Sequence, residues 1–406
     1  MRYVKAIGWV LMAVAACAAI GLLVARWNIW FGNAPEPAYS TPNEPFHILL
    51  TLTDDENSRL ITWQCDTVVQ EACVEYFYRC DSAASHDVLQ WVVATGEKYI
   101  SPGGASVFYR AEIPTPRPGK YTYRICHPKV QSQWHDFIVN DMTDNVVRLA
   151  FIGDIQDSIN GVTKDITRQI VMSHPDREFY VLGGDLIHRP QERYWDEFFR
   201  GISPLATTYP VVAVSGNHEY LKSLYKKCEA RFPLHFAYYW DDYKQEDYCY
   251  KTLRYDNVEL FMLDSHCDIL RLIEQCRQLD ESLSQSDAQW RIVVLHHPPL
   301  SIRRKSNNLP VKWLLTPILK RYDVELVLSG HEHGYARIHN PQDDSPVYII
   351  GHCSPKVYKH RNTAVDVYDN SDKYYHCIDC VSDTMTLRTY TSRGELIDRI
   401  QWIKND

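Results

Sequence analysis

Five short runs in the 406-residue sequence carry residue types that hold metal ions. They are Gly153-Asp154, Gly184-Asp185, Gly216-Asn217-His218-Glu219, His296-His297-Pro298-Pro299 and Gly330-His331-Glu332-His333. Each follows an apolar stretch of strand length, and most place Asp, Asn or His directly after a glycine. Glycine permits a sharp backbone turn, so the side chain after it can point into a crevice. Carboxylate, amide oxygen and imidazole make a hard-to-borderline donor set suited to Mn, Fe, Zn or Mg, with no thiolate to demand Zn or Cu(I). Six such donors, one of them a bridging carboxylate, would hold two divalent ions ~3.5–4 Å apart. Such a pair activates water and neutralises phosphate oxygens. Taken singly, each run has a plainer reading: a strand-end Asp often caps a helix, and an isolated His is usually only hydrogen-bonded. Five in one chain, each at a strand end, outweigh that reading.

The elements that must position them are legible from Val146 onward. Val147–Ile152 is a continuous apolar strand, followed by a helical stretch with Val162, Ile166 and Ile170 on one face. Further strands are expected at Phe179–Leu182, Val211–Val214, Leu260–Leu263, Ile292–Leu295 and Val324–Leu328, with a helix over Tyr194–Phe199 between the first two. Alternating strand and helix predicts an α/β unit with mainly parallel strands, in which ligands bind beyond the carboxyl ends of the strands. Val347–Ile350 and Met385–Tyr390 close the unit with little helix. Before it, residues 46–143 read as short alternating strands separated by turns, an antiparallel β-sandwich without a catalytic constellation.

The first residues bear on location. Ala6–Ala25 is uncharged and, as a helix, ~30 Å long, enough to cross a bilayer core. Arg2 and Lys5 precede it and Arg26 follows, so an inside N-terminus and an exported body are expected. Residues 1–34 are thus a membrane anchor or signal segment; a cleaved signal and lipidation at Cys17 are the alternatives to a retained anchor. Residues 35–45 read as a Pro-rich linker. Twelve cysteines fit an oxidising compartment. The single Cys377-x-x-Cys380 reads as a local disulfide or plain burial rather than zinc or redox chemistry.

Composition narrows the function. Lys plus Arg number 43 against 51 Asp plus Glu, a net charge of −8. That disfavours nucleic acid, which requires a basic face. No P-loop, GxSxG elbow or HExxH motif is present.

In combination the five motifs resemble the calcineurin-like metallophosphoesterase superfamily, from about Val146 to the C-terminus. Gly330-His331-Glu332-His333-Gly334-Tyr335-Ala336-Arg337 is close to the GHxHxYxR segment of purple acid phosphatases. Those enzymes also carry a fibronectin-III-like sandwich, similar in pattern to the Leu60–Trp63 and Pro118–Arg124 strands. The resemblance implies a β-sandwich over 46–143 and a two-sheet αββα metallophosphoesterase domain over 146–406. It makes Asp185 the bridging ligand, with Asp154 and His333 on one metal and Asn217, His296 and His331 on the other. His218, oriented by Glu219, would contact the phosphate and protonate the leaving oxygen. His297 stands behind the ligands, and Tyr335 and Arg337 support their loop.

The implied cofactors are two divalent or mixed-valence ions of Fe, Mn or Zn. The implied activity is phosphate-monoester hydrolysis by metal-bound hydroxide, on a phosphorylated small molecule or phosphoprotein. A phosphodiesterase on small diesters and a surface binding protein with a degenerate metal site are the alternatives. Two slots depart from the pattern. His188 stands where purple acid phosphatases place tyrosine, and Gln156 where most other members place histidine. Either could be a metal or phosphate contact, and neither supplies the phenolate of a purple ferric centre. Gln156 together with Gly184-Asp185-Leu186-Ile187-His188 resembles a branch that includes phosphoprotein phosphatases.

Overall fold

The computed structural model describes residues 2–79, 88–158, 161–223, 225–303, 308–339, 346–361 and 365–404, with side chains from residue 7 onward. The side chains of Arg2 and Lys5, and all of Cys80, therefore lie outside the described residues.

A long helix, α1 (Arg2–Phe31), comes first. Its 25-residue apolar portion, Ile7–Phe31, is long enough to cross a membrane and is left unburied by the described residues. Eight strands follow: β1 (Phe46–Thr51), β2 (Ser58–Cys65), β3 (Cys73–Tyr78), β4 (Gln90–Val93), β5 (Thr95–Ser101), β6 (Gly104–Pro114), β7 (Gly119–Cys126) and β8 (His135–Val139). They form two four-stranded antiparallel sheets, ordered β1-β2-β6-β5 and β4-β3-β7-β8. Alternate residues such as Ile61, Trp63, Val107, Tyr109, Tyr123 and Phe137 face inward and fill one core.

The second region contains β9 (Val146–Ile152), α2 (Thr163–Ser173), β10 (Phe179–Leu182), α3 (Glu192–Ile202), β11 (Val211–Ala213), α4 (Arg231–His235), α5 (Trp240–Glu246), β12 (Lys251–Tyr255), β13 (Val258–Leu263) and α6 (Ile269–Gln285). It continues with β14 (Trp290–Leu295), α7 (Leu309–Arg321), β15 (Leu326–Ser329), β16 (Tyr335–Ile338), β17 (Val347–Ile350), β18 (Val367–Asp369), β19 (Tyr374–Val381), β20 (Thr384–Thr391) and β21 (Leu396–Ile403). Two sheets result, ordered β11-β10-β9-β19-β20-β21 and β12-β13-β14-β15-β17-β16-β18. β9, β10 and β11 run parallel, as do β13, β14, β15 and β17. Their mainly apolar sequences, with Arg148, Glu259 and Arg291 confined to the strand starts, match strands covered on both faces. The first sheet is only half parallel, however, because β19 pairs antiparallel with β9.

Local details differ from the sequence reading in three places. Val162 precedes α2 and is exposed, so the helix buries Ile166 and Ile170 without it. Cys377 and Cys380 lie on β19 three positions apart, which sends their side chains to opposite faces and rules out a local disulfide. Both are buried free thiols. Residues 33–36 are not a free tether: Gln191 Nε2 donates to the carbonyls of Ala34 and Pro35 at 3.1 Å, and Glu36 pairs with buried Arg231 at 2.6 Å.

The two regions share one apolar core, in which Leu49, Leu60 and Phe108 join Leu149, Trp195 and Phe236. Near this seam Glu178 is 7% exposed and accepts the Arg148 amide at 3.0 Å. Burial pushes its carboxyl up to about 7 from the usual 4.5. Between those values the folded state keeps a proton that the unfolded chain releases, so this group's contribution falls as pH rises through 7. Glu178→Gln is therefore expected to stabilise the protein at pH ~8 by about 1–3 kcal/mol and to change little at pH ~4. Urea unfolding at the two pH values measures the difference.

Candidate metal centre

The carboxyl ends of β9, β10 and β11 in one sheet and of β14 and β15 in the other converge. Asp154 follows β9, Asp185 follows β10, Asn217–Glu219 forms a single turn after β11, His296 follows β14, and His331 and His333 lie between β15 and β16. Asp154, Asp185 and His333 each bring a donor atom within 4.8 Å of the others, and so do His296, His297 and His331. His296 Nε2 stands 3.3 Å from Asp185 Oδ1, so the groups meet at that carboxylate. His333 Nε2 stands 3.8 Å from Asp154 Oδ1.

The residues fit a pair of cations. Asp154 Oδ1, Gln156 Oε1, Asn217 Oδ1 and His296 Nε2 are buried without a hydrogen-bond partner, which is costly unless another group satisfies them. The outer nitrogens are already engaged: His296 Nδ1 bonds the Gly183 carbonyl at 2.9 Å and His333 Nδ1 that of Lys356 at 2.8 Å. This fixes the tautomers and leaves each Nε2 free to ligate. Burial, and then the nearby Asp185, push the Asp154 carboxyl well up. Burial would raise Asp185 too, but the imidazoles of His296 and His218 hold it below the usual carboxylate range.

The backbone is held in unusual shapes to achieve this. Asp154, Asp185, His331 and His333 have φ of 45°, 50°, 71° and 51°, the left-handed region that L-residues rarely adopt. Gly216 allows close approach, since a Cβ there would lie 2.3 Å from the Asp185 amide nitrogen and Oδ1.

His218 lies at the mouth. Its Nδ1 bonds the His188 carbonyl at 2.7 Å and its Nε2 stands 3.8 Å from Asp185 Oδ2. The expectation that Glu219 orients His218 is corrected. Fully buried Glu219 instead accepts the amides of Asp185 (3.0 Å), Leu186 (2.8 Å), Ile187 (3.2 Å) and Gly216 (2.6 Å). It clamps the Asp185 turn to the Asn217 turn. Glu219→Gln points a donor at those N–H groups and is expected to cost about 1–3 kcal/mol. Thermal unfolding would show this, with metal affinity ~10–100-fold weaker by titration.

His188 is exposed and joins neither donor group; its ring lies 5.6 Å from that of His218. Gln156 is buried with its Nε2 3.5 Å from Asp185 Oδ2. His297 receives Ser265 Oγ at 3.2 Å on Nδ1 and stacks on His266, its ring 4.1 Å from His331. Tyr335 and Arg337 both bind Asp398. His235, in the aromatic stretch after Tyr220, is fully buried among Phe108, Trp195 and Phe199.

Sequence reasoning missed the cations above the ligands. A cleft of about 1020 Å³ over His297 and His331 is bordered by Lys226, Arg303 and Lys356. Arg303 lies 3.9 Å over the Tyr358 ring, which packs on His333. These cations come from separate loops with no common spacing, so only their proximity reveals them.

Comparison with known proteins bears on the family. Residues 147–335 match the family described as calcineurin-like phosphoesterase. That match spans just under half of the chain and makes this region similar to the calcineurin-like phosphoesterases, a family whose members use a dinuclear metal centre. Within them the chain resembles the purple acid phosphatases. It is 26% identical over 189 residues to a probable purple acid phosphatase 20 and 24% identical over 324 residues to purple acid phosphatase 18, both of Arabidopsis thaliana. These matches take in 43% and 75% of this chain, and 44% and 70% of those proteins. The solved purple acid phosphatase PPD1 from yellow lupin (Lupinus luteus) seeds shares the fold, with a TM-score of 0.73 at 16% identity over 89% of this chain and 74% of that one.

Proposed function

We propose that the protein hydrolyses phosphate monoesters at a dinuclear metal centre. The observation that carries this reading is the set of four buried, unpartnered donor atoms, on Asp154, Gln156, Asn217 and His296, the residues of three of them lying close to the Asp185 carboxylate. Asp154, Asp185 and His333 would hold one ion and Asn217, His296 and His331 the other, with Asp185 common to both. When bound, such ions neutralise phosphate oxygens and make water a nucleophile near neutral pH.

The chain's own groups do the rest. Lys226, Arg303 and Lys356 draw a dianionic ester into the cleft. His218, held through Nδ1 by the His188 carbonyl, presents Nε2 to the phosphate and delivers a proton to the leaving oxygen. Gln156 buttresses Asp185, and exposed His188 contributes its carbonyl and its ring edge rather than a ligand.

Chelation tests this reading. Full-length protein stripped of metal is expected to lose nitrophenyl phosphate hydrolysis and to regain it on adding Mn, Zn or Fe, with the monoester cleaved roughly tenfold or more faster than the bis-ester. Absence of bound metal together with no activation by any of the three would overturn it in favour of a binding role.

A further inference from the structure

The monoesterase reading leaves open what carries the phosphate, and residues 29–36 bear on that question. α1 does not end in a loose tether. Lys222 Nζ donates to the Ile29 carbonyl in the helix's last turns at 3.3 Å, Asn33 Nδ2 donates to the Lys222 carbonyl at 2.9 Å, and the Lys222 amide returns a bond to Asn33 Oδ1 at 2.9 Å. Gly32 and Asn33 then form one wall of a cavity of about 700 Å³, with Arg189 and His218 also lining it. His218 and Asn217 border the larger cleft over the ligands as well. The two hollows thus adjoin at a metal ligand and the proposed proton donor.

A retained α1 would set this entrance beside a bilayer. Lys222 is four residues beyond His218, so their Cα atoms are at most ~14 Å apart. The 25-residue apolar helix is ~37 Å long against a hydrocarbon core of ~30 Å, which leaves its final turn at headgroup depth. Trp27 and Trp30 sit at that end, where indole rings favour the interface. None of the described residues buries the apolar helix, and a lipid bilayer is the occupant its composition fits. Glu36 and Glu229 also line the cavity but are paired with Arg231, so Lys222 and Arg189 leave the entrance positive, suited to an anionic headgroup.

We propose that the substrate is a phosphate monoester borne by a membrane lipid, entering from the headgroup layer between Gly32–Asn33 and the His188–Arg189 turn. Water oxygen bonds to phosphorus, the phosphorus–oxygen bond to the lipid breaks, and the lipid oxygen leaves as an alcohol with a proton from His218. This rests on the monoesterase reading and adds the source of the phosphate.

Full-length protein reconstituted in phosphatidylcholine vesicles containing phosphatidate tests the proposal, with glycerol phosphate and nitrophenyl phosphate as soluble arms. The native chain is expected to cleave phosphatidate with kcat/KM at least about tenfold above glycerol phosphate. A Gly/Ser insertion of about ten residues between Phe31 and Gly32 should cut vesicle turnover by roughly tenfold and leave nitrophenyl phosphate turnover within about twofold. Equal rates on the lipid and on glycerol phosphate, an insertion without effect on vesicle turnover, or a mature protein beginning after Phe31 by mass would each overturn the proposal and spare the monoesterase. Failure on nitrophenyl phosphate with metal present would remove both.

Discussion

Replacing Asp185 by asparagine is expected to reduce phosphatase turnover by roughly a thousandfold or more. Asp185 is the meeting point of the two donor groups, 3.3 Å from His296 and bonded through Oδ1 to the His218 amide at 2.9 Å. Asparagine keeps the volume but loses the charge and one of the two oxygens needed to serve two cations at once. Metal content should fall from two ions per chain to one or none, read by elemental analysis beside the rate. The fold should persist, because the Glu219 clamp acts on the backbone amide of residue 185 and not on its side chain. An asparagine variant with full activity and two bound ions would exclude Asp185 as the bridge.

His218→Ala comes next in size, with an expected loss of ~10²–10⁴ in kcat and metal content unchanged. The imidazole is tethered by a single bond to the His188 carbonyl and carries no part of the fold, so its removal should leave stability almost untouched. The loss should depend on the leaving group. An alkyl phosphate, whose alkoxide needs a proton, is expected to suffer most; nitrophenyl phosphate, which leaves readily as an anion, should suffer least. Partial rescue by free imidazole would distinguish proton delivery from simple packing. Equal losses on both esters would assign His218 to binding the phosphate alone.

Much of this was readable in the residues, and the reason is geometric. Glycine followed by Asp, Asn or His at the end of an apolar run is a local signal, and the α/β arrangement sends all such ends to one edge. What stayed hidden depended on partners that leave no mark in residue types. Glu219 binds backbone amides, which every sequence offers, so its clamp could not be told from an orienting contact with the neighbouring His218. His188 occupies a ligand slot by position, yet the Leu186–His188 turn that Glu219 grips carries its ring outward. The antiparallel entry of β19 beside β9 is a pairing between remote segments, invisible to local periodicity. Lys226, Arg303 and Lys356 became a group only through the closeness of three loops.

The pairing of β19 with β9 also has a temporal side. Every proposed ligand has been synthesised once His333 has been made, but the strand leading to Asp154 lacks its second neighbour until residues 374–381 arrive. Such a distant partner imposes a slow, late closure on the sheet. The Asp154 end of the candidate metal site is therefore set in place only when the last strands join the first.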